Sequence, residues 1–239
     1  MDDQHRRGVD PSDRAAEVVA DRAVTLLLAL GIGAAVLFTV LHVANSLAFD
    51  GRFAWLDLGV EGGPATWTSA SITFGAAYVA LLHGVSVRDR RLLYVLLALV
   101  LAYVSLDDAV AVHEAVSRRV GDLGLPAYLS HRIDFVFLLP VYLTGGILLL
   151  KLSRIVSARP AYLLRLGLVV LVISILIDEV VEQGLEFVIG EGPSTADSIR
   201  IGFEEGIEVV GWTLVTAAMA YILIVELAAL GSSRQRSLR

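Results

Sequence analysis

The chain contains no cysteine, and only two methionines carry a thioether sulfur. Disulfide bonds, thiolate metal sites and iron–sulfur clusters are therefore excluded, because each requires cysteine. A soft copper site is also not expected from so little sulfur. Charged residues make up only 18% of the 239 positions, and the net charge of -6 argues against nucleic acid as a partner. Any metal bound by this chain must therefore be held by carboxylate or other oxygen ligands, or by imidazole nitrogen.

Hydrophobic residues, in contrast, make up 56% of the chain and gather in runs of membrane-spanning length. These runs predict an all-α polytopic membrane protein, a bundle of six transmembrane helices embedded in the lipid bilayer. The polar start of the chain lacks the apolar stretch and cleavage site of a secretory signal, so we expect it to be retained. The predicted parts are a polar N-terminal tail (1–21), the six-helix domain (22–230) and a basic C-terminal tail (231–239). The spans are predicted near residues 22–48, 66–87, 92–117, 132–152, 161–189 and 197–229.

Lysine and arginine residues are distributed unequally between the two sides of this arrangement. Fourteen of the 19 lie in the two tails, the second loop and the fourth loop, and the other five lie on the opposite side. Because cytoplasmic flanks collect basic residues, both termini are predicted to be cytoplasmic. We therefore predict a multi-pass protein of the plasma (inner) membrane.

Acidic side chains occur inside the predicted spans, where an ionised carboxylate costs roughly 2.5–3.5 kcal/mol at the bilayer centre. At 1.5 Å per residue, Asp107, Asp134, Asp178 and Glu208 each lie about 22–25 Å from the cytoplasmic end of their helix. Four helices thus place carboxylates at one level, in the outer third of the membrane. The end of span one, with His42 and Asn45, should lie near that level. His83 falls toward the cytoplasmic end of span two, where a hydrogen-bonded interfacial histidine is the more common finding.

Helical periodicity places these acids on common faces. At 100° per residue, the acids of span five (Asp178, Glu179, Glu182 and Glu186) fall within one arc. Glu204, Glu205 and Glu208 fall within another arc of span six, which Trp212 extends. On span three, Asp107 and Glu114 are seven residues apart and nearly superimposed in projection, with Asp108 on one flank and His113 on the other. Such faces avoid lipid by pointing into the bundle or into a wet cavity that opens outward.

A bound cation would explain why so many carboxylates meet at one level. Carboxylates with imidazoles and no sulfur suit iron, manganese or zinc, while an all-oxygen subset would suit calcium or magnesium. The most specific form of this hypothesis is a dinuclear iron or manganese centre. Such centres in four-helix bundles use a Glu-x-x-His motif, which this sequence lacks. The predicted ligands are Asp107, His113, Glu114, Glu179, Glu182, Glu205 and Glu208, with Asp108, His131, Asp134 and Asp178 as further ligands or supporting groups.

Ordinary structural roles compete with this hypothesis. Glu204 and Glu205 lie in the early turns of span six, where acids suit the positive end of the helix dipole. Internal ion pairs are a second account, and the available arginines are Arg118, Arg119, Arg132 and Arg200. The acids of spans three and five lie toward helix C-termini, where the dipole disfavours a carboxylate. For these acids a cation is the simpler explanation.

Three classes of function remain open. The first is a metal-dependent membrane enzyme, an oxidoreductase or a hydrolase, acting on a small molecule, lipid or ion that reaches the site from the outer side. The second is a proton- or cation-coupled transporter that uses the acids as a relay, and the third is an accessory subunit of a membrane complex. A carrier needs polar groups that continue to the cytoplasmic side, and apart from His83 and Glu226 that half is nearly all apolar. The zinc-protease signature, the P-loop, the dinucleotide fingerprint and the nucleophile elbow are all absent.

The first outer loop, residues 50–66, carries Phe53 and Trp55 together with leucines. Such aromatic residues are typical of segments that lie in the membrane interface. We expect this loop either to cover the outer end of the bundle as a lid or to anchor the protein at the headgroups.

Overall fold

The computed structural model describes residues 11–60, 62–87, 90–121, 127–177 and 195–237. Within these ranges every regular element is a helix, in agreement with the all-α prediction. Six of the helices, all except α4, are long and apolar enough to cross a membrane, so the prediction of six spans is confirmed. The elements are α1 (Pro11–Phe49), a 3-10 turn (Ala54–Leu56), α2 (Pro64–Ser86), α3 (Arg91–Val110), α4 (Val112–Gly121), α5 (Ala127–Ser153), α6 (Ala158–Leu176) and α7 (Thr195–Ser237).

The six long helices run alternately up and down. We call the end of the bundle at Phe49 and Thr195 the outer end, and the end at Ser86 and Arg91 the inner end. Five helices form a closed ring in which α2 packs on α3, α3 on α5, α5 on α6, α6 on α7 and α7 on α2. The remaining long helix, α1, packs along the outside of α7 and touches α2 only slightly. The longest helix, α7, therefore contacts three neighbours.

Two helices extend beyond the predicted spans. α1 begins at Pro11, inside the predicted polar tail, and α7 continues to Ser237, inside the predicted basic tail. With 43 residues, α7 is about 64 Å long, roughly twice the thickness of the hydrocarbon core. It therefore continues well past the hydrophobic layer.

Small residues bring α7 close to its neighbours. A Cβ added at Gly206 would lie 2.5 Å from the Thr39 hydroxyl of α1, and one at Gly167 of α6 would lie 3.1 Å from the Gly211 carbonyl of α7. The Thr39 hydroxyl also donates a hydrogen bond to the Gly202 carbonyl at 2.8 Å. Close backbone contact of this kind is what holds helices together where lipid removes the hydrophobic drive for association.

The distribution of apolar side chains fits a lipid environment. Tyr94, Leu97 and Val215 are fully buried and belong to the hydrophobic core of the described helices. Large apolar side chains also cover the outside, and Leu92 and Val85 are 72% and 70% exposed. Water would penalise such a surface, whereas lipid accommodates it.

Candidate functional site

The outer end of α1 is tied to the first outer loop and to the start of α7. His42 is buried, and its Nδ1 accepts a hydrogen bond from the Leu58 amide at 3.1 Å while its Nε2 lies 2.9 Å from the Ser198 carbonyl. Because Nδ1 accepts, the proton must be on Nε2, and the ring is neutral with both nitrogens used. Asp57 lies 3.6 Å from Nδ1. His42 therefore has a structural role: it joins α1 to the first outer loop and to the start of α7.

Asn45 fixes the same loop one turn further along α1. Its side-chain amide donates to the Phe53 carbonyl at 3.0 Å and its carbonyl accepts from the Phe53 amide at 3.1 Å. The Phe53 ring packs edge-on against Phe49, with centroids 5.5 Å apart. Trp55, in the 3-10 turn, is 61% exposed. This exposed aromatic agrees with an interfacial loop, and the hydrogen bonds hold that loop against the bundle.

The acids at the start of α7 do not all have the same surroundings. Arg200 is buried and lies 3.1 Å from a carboxylate oxygen of Asp197 and 3.0 Å from one of Glu204. Glu204 is thereby placed in an ion pair with one of the arginines that the sequence offered for this role. Glu205, on the same turn, is half-buried.

Glu208, one turn further, is held differently. Its Oε1 accepts a hydrogen bond from the Ser69 hydroxyl of α2 at 3.1 Å and another from the Trp212 indole of α7 at 3.0 Å. Ser69 and Trp212 are both buried. Two neutral donors on different helices thus fix the orientation of a half-buried carboxylate in the outer half of the bundle.

Asp107 lies in the last turn of α3 and is 5% exposed. Nearby, the Ser105 hydroxyl donates to the Ala70 carbonyl of α2 at 2.7 Å. Since Ser69 and Ala70 are adjacent in α2, the hydrogen bonds from Ser105 and to Glu208 join α3 and α7 to the same turn of α2. Asp108, the next residue, is half-buried.

The prediction of one continuous helix over 92–117 was wrong. The chain breaks at Ala111, which adopts a left-handed conformation with φ 50°, and α4 starts at Val112. The Ala111 amide still donates to the Asp107 carbonyl at 2.7 Å, so the turn caps α3. Because the helical phase is lost at this residue, the argument that Asp107 and Glu114 share one face no longer holds. A left-handed non-glycine residue is costly, and such residues cluster at functional sites.

Several predicted site residues lie outside the part of the chain whose side chains are described. Asp178, Glu179, Glu182 and Glu186 follow the described end of α6. His113, Glu114, His131 and Asp134 have a helical backbone, but their side chains are not described. Among the side chains that the structure does describe, no three histidine, aspartate or glutamate residues converge closely enough to hold a metal ion.

A second polar group, which the sequence analysis did not assemble, lies at the inner end. His83 of α2 is fully buried, and its Nε2 lies 3.0 Å from Oε2 of Glu226 in α7. Its ring stacks on Tyr94 of α3, with centroids 4.6 Å apart. The sequence contained a signal for this contact, because His83 and Glu226 were the exceptions named in an otherwise apolar inner half. What it could not supply was the rotation of α2 and α7 that turns both side chains toward each other.

The fold and its surface define a multi-pass membrane protein with one polar layer near each end of the bundle. The chain belongs to the family described as a domain of unknown function (DUF8692), whose model matches residues 24–223. That match covers all six long helices at least in part. No curated protein and no solved structure matches the chain.

Proposed function

We propose that the protein binds one or two divalent metal ions at the carboxylates of its outer polar layer, and that it is a metal-dependent membrane protein. The observation that carries the proposal is the position of Glu208. Its carboxylate is half-buried in the outer half and is oriented by Ser69 and Trp212 from two helices. Hydrogen-bonded neighbours of this kind typically orient a metal-binding carboxylate.

Asp107 supports the same proposal by its place in α3. It lies in the last turn of that helix, where the backbone dipole is negative and disfavours a second negative charge. Burial raises the cost further, because a buried carboxylate loses its hydration. A nearby cation would offset both effects. The left-handed residue Ala111 then separates Asp107 from the histidine and glutamate that follow.

The further ligands of such a centre would come from the predicted residues whose side chains lie outside the described part. Carboxylates with one or two imidazoles favour iron, manganese or zinc over softer metals. Such an ion polarises a bound substrate or activates a water molecule, which suits oxidoreductase or hydrolase chemistry. The substrate class that fits is a small or lipid-soluble molecule entering from the outer side. The proposed ligands are Asp107, His113, Glu114, Glu179, Glu182, Glu205 and Glu208, with Asp108, His131, Asp134 and Asp178 near them.

A transmembrane relay has less support from the described residues. Between Glu208 and Glu226, α7 spans about 27 Å, and the described residues packed around that stretch are almost entirely apolar. Thr213, Thr216 and Tyr221 carry the hydroxyl groups of this stretch, and the two threonine hydroxyls donate to the backbone carbonyls of Val209 and Ile72. A proton or cation would find few polar groups along this path.

Metal analysis of protein purified without chelator tests the proposal, with Glu208→Gln as the decisive variant. Glutamine keeps an oxygen that accepts from Ser69 and Trp212, so the fold is preserved while the charge is lost. We expect the wild type to hold about one or two equivalents of metal and the variant to lose most of it, since ligand loss weakens metal sites steeply.

Glu204→Gln is the matched control. It removes a carboxylate one turn away on the same helix, and Arg200 keeps Asp197 as a partner. This variant should retain its metal. Wild-type protein with less than about a tenth of an equivalent of any divalent metal would contradict the proposal, as would equal retention in both variants.

A further inference from the structure

The inner polar group consists of His83, Glu226 and Tyr94, from three different helices. His83 and Tyr94 are both 0% exposed, and the Glu226 side chain is 31% exposed. Among the described residues, the two ring nitrogens of His83 have no hydrogen-bond partner. The same is true of the Tyr94 hydroxyl. A fully buried imidazole without hydrogen bonds is rare, because its burial is costly unless something compensates.

The group that lies against the buried imidazole is a carboxylate. His83 Nε2 and Glu226 Oε2 are 3.0 Å apart, yet they lack the alignment of a hydrogen bond. Attraction between an imidazolium and a carboxylate does not need that alignment and is strong where the dielectric constant is low. The Tyr94 ring stacks on the imidazole at 25°, and an aromatic face attracts a cation.

The surroundings determine from which side a proton can reach this pair. Arg90 and Arg91 stand at the start of α3, and Arg90 donates to the Ile155 carbonyl at 3.2 Å. Asp21 and Arg159 form an ion pair close to this end of α7, and the Glu17 carboxylate of α1 also lies near Tyr221 there. Arg159 lies over the ring of Tyr221, which is about 140° around α7 from Glu226 and so on another face. Glu226, which is half-buried, is the more accessible member of the pair and connects it to the inner surface.

We propose that His83 and Glu226 form a binding site for one exchangeable proton at the inner end of the bundle, with Tyr94 stacked on the protonated ring. The proton enters from the inner side through Glu226, because the apolar interior separates the pair from the outer acids. When the proton is bound, the imidazolium and the carboxylate attract each other across α2 and α7. When it leaves, that attraction is lost. This site is independent of the metal proposed at the outer end.

A double-mutant cycle measured at several pH values tests the proposal. Unfolding in detergent micelles is followed for the wild type, His83→Gln, Glu226→Gln and the double variant between about pH 5 and pH 8, where histidine changes charge. The coupling between the two positions should change with pH by about tenfold in the unfolding equilibrium constant. A coupling that is constant over this range would show a merely structural contact and would overturn the proposal.

Two controls keep the result interpretable. Glu17→Gln removes an exposed carboxylate of α1 at the same end and should leave the pH dependence as in the wild type. Tyr94→Phe keeps the aromatic face and should keep the pH-dependent coupling, whereas Tyr94→Leu should reduce it.

If His83→Gln does not fold, nitrogen NMR of histidine-labelled protein provides a second route. Of the five histidines, one should show a titration in the wild type that is altered by Glu226→Gln and unaltered by Glu17→Gln. Five imidazole titrations that are unaffected by Glu226→Gln would overturn the proposal.

Discussion

At the scale of single residues, polar side chains near the outer end have two different kinds of role. His42, Asn45 and Arg200 satisfy their hydrogen bonds or charges within the protein and hold the loop, α1 and α7 together. Glu208 accepts hydrogen bonds from the Ser69 hydroxyl of α2 and the Trp212 indole of α7, and we propose that these orient it as a metal ligand. Residue type does not distinguish these roles, because the distinction depends on which groups the fold places beside each side chain.

Substitution of His42 should destabilise the protein through the loop. His42→Ala leaves the Leu58 amide, which is buried, without its acceptor, and a buried unsatisfied amide costs about 1–3 kcal/mol. We expect a loss of that size in the free energy of unfolding, measured in detergent micelles. Asp57→Asn is the control, because an exposed contact of this type contributes only about 0–1 kcal/mol. A larger loss for Asp57→Asn than for His42→Ala would mean that the histidine is charged and that its assigned tautomer is wrong.

Ala111→Gly should not destabilise the protein, because glycine is the residue that most often occupies a left-handed position after a helix C-terminus. The left-handed conformation costs an L-residue about 1–2 kcal/mol, and glycine adopts it without that cost. Ala102→Gly, in the regular part of α3, should instead lose about 1 kcal/mol of helix propensity. Thermal unfolding of both variants decides the matter. Equal losses would show that the chain continues as one helix through Ala111.

At the scale of helices, the contact between α1 and α7 depends on glycine. A Cβ at Gly31 would lie 2.8 Å from Cβ of Thr213, whose hydroxyl is fixed by a hydrogen bond to the Val209 carbonyl. A Cβ at Gly33 would meet nothing within 4 Å. Two glycines of one helix, two positions apart, therefore provide a matched pair of substitutions.

Gly31→Ala should lower the stability of the bundle by about 1–3 kcal/mol, the usual cost of overpacking. Gly33→Ala should raise it by up to about 1 kcal/mol, because alanine favours the helix and no neighbour is displaced. Unfolding in detergent micelles measures both changes. Similar effects of the two substitutions would mean that α1 does not pack on α7 through Gly31.

Sequence reasoning located the long helices but not the break in span three. Apolar runs of about 20 residues indicate membrane-spanning helices. The predicted depth of a residue in such a helix then follows from the rise of 1.5 Å per residue. Alanine is the best helix former, so nothing at Ala111 signalled a left-handed turn. The ion pair of Glu204 with Arg200 was foreseeable from their spacing of four residues in one helix. Contacts between helices, such as Ser69 with Glu208, depend on helix rotation, which hydropathy does not determine.

At the scale of the whole molecule, the hydrophobic core of the described helices lies between an outer polar layer and an inner one. The same helix, α7, supplies an acid to each layer through Glu208 and Glu226. Lipid-facing side chains cover the ring of five helices and the peripheral α1. This arrangement favours two independent sites over a continuous path.

The orientation of the molecule in the membrane is a prediction from the distribution of basic residues. A C-terminal reporter that is active only in the cytoplasm should be active when fused after Arg239, and a reporter placed in the loop near Arg52 should not be. Activity in the opposite pattern would show that the orientation in the membrane is the reverse of the predicted one. The outer layer would then face the cytoplasm, and the proton site would face outward.

The most direct test of the metal site is to locate the ion itself. Diffraction from crystals of protein loaded with manganese or zinc, recorded at the absorption edge of that metal, gives the position of the ion without reference to activity. The account predicts a peak about 2.0–2.2 Å from a carboxylate oxygen of Glu208, with further ligands from at least one other helix. A peak only at the protein surface, or outer acids turned individually toward headgroups and solvent, would contradict it.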